Sequence, residues 1–193
     1  MADSSGDEDF TSLAGHFLIA MPGMADARFA KTVVFIWTHT PEAAMGVVVN
    51  RLFGTVSFEE LLTQLEIEAS APVADLPVHL GGPVEQGRGF VLHSSELMRE
   101  ESLSVAEDIA LTVSLDILRD IAAGRGPKRV LFALGYAGWG PGQLDQEIQA
   151  NGWLTAPADS DILFDTDMDT KWDRAVRLIG IEPSMLSAEA GRA

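Results

Sequence analysis

The side chains of this sequence that titrate near neutrality are four histidines, His16, His39, His79 and His93. No two stand at the i, i+4 spacing of a helical zinc pair, and there is no cysteine to supply a thiolate ligand, a disulfide or a nucleophile. The spacing therefore implies no metal. Ser94 and Ser95 follow His93 directly, but catalytic triads are assembled in space rather than by adjacency, and no G-x-S-x-G elbow is present. What remains is a general base: His39 or His93, with Asn50 or Gln143 orienting a substrate, could serve a hydrolase or transferase. A lone histidine near a strand end is more often a hydrogen-bonded structural group.

A second constellation is "GYAGWGPGQLDQE", Gly135 to Glu147, which follows the apolar run "RVLFAL". Glycine-rich backbone between a buried strand and a helix is where many folds cradle phosphate. The match fails in detail. A P-loop needs Lys and Ser or Thr after its last glycine, whereas Gly142 is followed by Gln143 and Leu144. A dinucleotide fingerprint from Gly138 and Gly140 meets Gln143 where its third glycine belongs, and Pro141 removes a donor. Asp145 and Glu147 also fall in the first turn of the helix, where they favour its positive end and repel phosphate. Two readings stay open: a tight turn in which Tyr136 and Trp139 pack, or a contact patch made by an exposed Trp139 beside Tyr136 and Gln143.

"DTDMD", Asp165 to Asp169, imitates the start of a calcium loop, but Thr170 stands where the loop needs glycine and Val176 where it needs glutamate. The stretch reads instead as an acidic loop leading into a helix. Over the whole chain, 29 acids face 13 bases, a formal net charge of -16. Such a surface repels polyanions, so direct nucleic-acid binding and attraction to anionic membranes are not expected. The partner is then a small molecule or a protein, and no cofactor is implied. The N-terminal "MADSSGDEDF" has four acids and no base, unlike a signal peptide, and no apolar run approaches the length of a membrane span, so a cytoplasmic location is expected.

The elements that must position these residues follow from periodicity. Residues 1–12 read as an acidic tail and 13–193 as one domain, with a possible sub-lobe at about 56–111. Strands are predicted at His16–Ala20, Thr32–Thr38, Met45–Asn50, in "PVHLGGPV" and "GFVLHSS" around a "GGPVEQGR" turn, and at Lys128–Gly135. Helices are predicted from Ser57, whose capping box with Glu60 satisfies free N–H groups, from Ser114, over "GQLDQEIQANG", and from a second box, Thr170 with Asp173. "WLTAP" and "DILF" read as extended, and residues 96–108 as a surface loop with one short extended piece. Three strands precede the first helix, which breaks strict βα alternation and points to a mixed-sheet α/β or α+β domain.

Taken together, "LIAMPGMADARFAKTVVFIWTH", "AMGVVVNR", "GGPVEQGRGFVLH" and "GYAGWGPGQLDQEI" resemble the AlgH/YqgE family of small bacterial proteins, in order and over residues 15–186. Ala43 and Ala44 stand where the family has Gly-Ala, and Leu52 where it has proline after Asn-Arg; both departures concern local turns. The resemblance implies a mixed sheet curled into a partial barrel, with flanking helices and a small inserted lobe. It implies no established activity, although some members carry the label of transcriptional regulator. Motif positions that match include Pro22, Met24, Asp26, His39, Asn50, Gly81, Gly82, Pro83, His93, Gly138, Trp139, Gln143 and Glu147.

The functional expectation is a binding or regulatory module without catalysis. Its surface is expected where strand ends gather: Asn50, the Gly81–Gly82–Pro83 corner, and Tyr136, Gly138, Trp139 and Gln143. The alternatives are the histidine-based enzyme above and a regulator acting through a protein partner.

Overall fold

A computed structural model describes residues 10–186. The chain runs β1 (His16–Ala20), β2 (Val33–His39), β3 (Ala44–Val48), α1 (Phe58–Gln64), β4 (Val78–Leu80), β5 (Val84–Ser94), β6 (Leu103–Ala106), β7 (Ile109–Thr112), α2 (Leu115–Ala122), β8 (Val130–Trp139), α3 (Gln143–Gln149), β9 (Trp153–Pro157), α4 (Ser160–Leu163) and α5 (Met168–Leu178). A 3-10 turn, Pro183–Met185, follows. The strands form one sheet in the order β6-β7-β5-β8-β3-β2-β1-β9, antiparallel between neighbours, with β4 added in parallel against β8. The mixed, curled α/β architecture expected from the sequence is the one found.

β8 is where the sheet forks. One of its edges pairs with β5, while the other is shared: Phe132–Leu134 pair with β4, and Ala137–Trp139 pair with β3. Gly81 fills the crotch, its N–H donating to Leu134 O and its carbonyl accepting from Val48 N. A Cβ on Gly81 would stand 2.2 Å from Gly135 O, and one on Gly82 2.1 Å from the Tyr136 carbonyl carbon. No side chain fits there, which is why two glycines occur together.

Three apolar clusters hold the layers. Inside the curl, Phe17, Phe35, Val47, Leu92 and Leu131 meet the stripe Trp172, Ala175 and Val176 of α5. That i, i+3, i+4 spacing puts the three on one helical face, and burying each large side chain contributes roughly 1.5–3 kcal/mol. Outside, α1 and α2 cover Val91, Phe132 and Leu134 with Phe58, Leu62, Ile117 and Leu118. The third cluster joins Leu144 of α3 and the indoles Trp139 and Trp153 to Val34, Ile36 and Val48. The segment from about 56 to 111 contributes α1 and β4 to β7, all within these layers.

Some predicted elements differ. "DILF" is not extended: Asp159 caps Ile162 N and opens the short α4. α5 starts before Thr170, with Asp167 at its N-cap and the Thr170 hydroxyl donating to Asp167, because Asp165 already turns the chain by accepting from Asp167 N. Ser114 precedes α2 but makes no capping bond. "VEQGR" is bulged strand rather than turn, the register shifting between Val84 and Gly89. Residues 1–9 of the acidic stretch lie outside the described residues, while Phe10 and Ser12 sit against His39. No described helix is long and apolar enough to cross a membrane.

Candidate functional site

The run from Gly135 is not one long turn. β8 continues to Trp139, and only Gly140 to Gly142 change direction, Gly142 entering the left-handed region at φ 65° to start α3. Strand alternation then decides the fate of each side chain. Trp139 turns toward α3 and is 6% exposed, so of the two readings left open by the sequence it follows the packed one and is not an exposed patch. Tyr136 faces the other way, against Trp37 and Phe90.

Trp139 nevertheless borders a surface cavity of 660 Å³, within the span usual for small-molecule sites. Three segments enclose it. The loop after β1 brings Met21, Met24, Asp26, Arg28 and Phe29; the start of β5 brings Pro83 and Val84; and β8, α3 and β9 bring Gly138, Trp139, Gln143, Glu147 and Trp153. The loop is tied to the opposite wall by Met21 N donating to Gly152 O. At its tip Arg28 clasps Asp26 through Nε at 3.0 Å and Nη2 at 2.7 Å. That guanidinium holds the Asp26 carboxyl below the ordinary carboxylate range.

Glu147 organises the floor. Trp139 Nε1 and Trp153 Nε1 both donate to its Oε2 at 2.9 Å, and Gln143 Nε2 donates to its Oε1 at 3.0 Å. Gln143 also accepts from Gly140 N, which clamps the turn. The indoles meet edge to face at 6.1 Å, with Phe29 against both.

Of the expected site residues, the cavity gathers Pro83, Gly138, Trp139 and Gln143. Gly82 lines a smaller neighbouring hollow of 120 Å³ with Pro83, Arg28, Phe29 and Arg51. Gly81 is occupied at the fork. Asn50 does not reach the cavity; its amide donates to Lys31 O and accepts from Val33 N, fixing the end of the loop. Sequence reasoning left Glu147, Trp153, Arg28 and Phe29 out of the site, although Gln143 and Glu147 at i, i+4 on one helix were a readable signal.

Neither candidate base faces this cavity. His93 is fully buried; its Nδ1 donates to Ser94 O, so Nε2 accepts from Thr112 Oγ1 at 2.7 Å. His39 Nδ1 accepts from Leu13 N, leaving Nε2–H 3.6 Å from Asp145 Oδ2 beneath Phe10. Among the described residues no group of three His, Cys, Asp or Glu could hold a metal ion.

The profile of a family described as AlgH-like, DUF179, matches residues 17–184. The chain belongs to the AlgH-like family. A UPF0301 protein of Rhodopseudomonas palustris (strain BisB18) is 54% identical over 189 residues, covering 94% of this chain and 89% of that one. Another, of Allorhizobium ampelinum, is 51% identical over 194 residues and covers 97% and 96%. The solution structure of the AlgH protein from Pseudomonas aeruginosa superposes with a TM-score of 0.77 at 44% identity over the whole of both chains. A protein of Corynebacterium diphtheriae shares the AlgH-like fold at 22% identity, TM-score 0.70, over 87% of each chain. These names carry no activity, so function has to be argued from the cavity.

Proposed function

We propose that this AlgH-like protein is a non-enzymatic binding module whose cavity between the loop after β1, the start of β5 and α3 takes a small molecule. One observation carries the reading: a 660 Å³ concavity whose wall joins two indoles, a phenyl ring and two thioethers to a few fixed polar groups. Apolar walls with sparse, oriented polar atoms are what ligand sites use. A regulatory role, through a protein that responds to the loaded state, and a cytoplasmic location belong to the same proposal.

The test is a thermal-shift panel of metabolites on the full chain and on Ala150→Phe, which adds a ring at the exposed C-cap of α3, a residue that lines the cavity. A ligand at 100 times its Kd adds about 2.7 kcal/mol, a shift of several degrees at this size. At least one compound should shift the wild type and not the variant. A panel that stays flat for every compound, cationic amines included, or equal shifts in both, would sink the proposal.

A further inference from the structure

The charge arrangement in the cavity narrows its ligand. Glu147 receives three hydrogen bonds, all from neutral donors: two indole N–H groups and one amide. None neutralises it, and among the described residues no Lys, Arg or His lies within ion-pair distance of it. The one base lining the cavity, Arg28, is held by Asp26 through both Nε and Nη2. The lining therefore presents two carboxylates against one committed cation.

The donors also orient what they bind. With both indoles on Oε2 and only Gln143 on Oε1, Oε1 keeps acceptor capacity, and Glu147, which lines the cavity, is half-buried rather than fully solvated. A partly desolvated carboxylate without a counterion favours a positive ligand group more than one in open water does. Phe29, Met24 and Trp153 add apolar and aromatic wall, which suits an alkyl stem beneath a cationic head. The chain's net charge of -16 draws cations and repels anions at longer range.

We propose that the ligand of this cavity carries a cationic nitrogen, alkylammonium or guanidinium, seated on Glu147 with its carbon stem along Met24, Phe29 and Trp153. The inference rests on the cavity being the binding site, and it excludes phosphates and carboxylates as the recognised group. The cationic group can belong to a free amine or to a basic side chain, and the two are separable by probe.

The experiment is a titration of the full chain, followed by tryptophan fluorescence and calorimetry at low salt. The probes are 1,4-diaminobutane, agmatine, end-blocked lysine and arginine amides, neutral 1,4-butanediol and anionic butanedioate. The cationic probes should bind at least tenfold more tightly than butanediol, and butanedioate should not compete. Preference for the free amines assigns a metabolite, and preference for the blocked amides a protein side chain. Glu147→Gln should weaken cation binding at least tenfold; if that variant does not fold, comparison of the wild-type probes decides alone. Equal binding of butanediol, preference for butanedioate, an unchanged affinity in Glu147→Gln, or cation binding that survives Ala150→Phe would overturn the proposal. Saturable binding of neutral or anionic probes that Ala150→Phe abolishes would leave the cavity as the site while removing its cation preference. Silence from every probe and from the metabolite panel would remove both.

Discussion

Three of the contacts of Glu147 are to the protein's own side chains, and that gives it a structural role that can be measured separately. Truncation to alanine would leave the N–H groups of Trp139 and Trp153 without their shared acceptor. An unpaired buried donor costs about 1–3 kcal/mol. With two such donors, Glu147→Ala should therefore lower the urea midpoint by the equivalent of about 2 kcal/mol or more, whereas Glu147→Gln, which keeps a carbonyl acceptor, should lose less than half as much. Equal losses would show that charge, and not acceptor geometry, holds the indoles. Asn50 marks the limit of sequence reading at this scale. Its polar amide and its position after an apolar strand suggested a ligand contact, yet both partners are backbone groups of its own fold. A side chain that can donate and accept does not declare whether its partner is a ligand or a distant loop. His93 misleads for the same reason, since its partners Ser94 O and Thr112 Oγ1 are visible only after β5 and β7 pair.

At the scale of elements, periodicity found most of the strands and helices and failed where glycine interrupted it. β8 carries Gly135 at φ 76° and still continues as strand, because the fork needs backbone from β4, β5 and β8 to pass within contact distance. That is a long-range demand with no local mark, so a strand bearing glycines read as a turn. "DILF" failed differently: four residues are too few to separate a helical turn from a strand. The fork gives a sharp test. A Cβ on Gly135 would meet Gly82 O at 2.5 Å and Val84 O at 3.0 Å, in a backbone region that L-residues occupy at a cost of roughly 1–2 kcal/mol. Gly135→Ala should cost about 3 kcal/mol or abolish folding. Gly87→Ala, which meets nothing within 4 Å, should stay within about 0.5 kcal/mol. Chemical denaturation of the pair checks both, and a tolerated Gly135→Ala would show that the fork has slack.

For the whole molecule, two buried bases tilt stability against pH in the same direction. His79 is 3% exposed, its Nδ1 donates to Phe132 O, and its Nε2 has no partner. Burial first, and the positive charge of Lys171 second, hold it down to about 4 from 6.5. Above pH 6.5 the imidazole is neutral in both folded and unfolded chains. As pH falls from 6.5 toward 4 only the unfolded chain takes the proton, so stability drops, by about 3 kcal/mol across the window. Lys171, fully buried with Nζ donating to Val49 O and Leu163 O, is lowered by burial to about 8 from 10.5. Below pH 8 it is charged in both states and contributes no slope. Between 8 and 10.5 the folded chain sheds a proton that the unfolded chain keeps, and this group raises stability with pH. Unfolding free energies at pH 5, 7 and 9.5 should therefore show His79→Asn gaining on the wild type as the solution is acidified, and Lys171→Met flattening the alkaline rise. Parallel profiles for wild type and His79→Asn between pH 7 and 5 would mean that the imidazole reaches a proton inside the fold, and that the core between β4 and α5 is wetter than its burial implies.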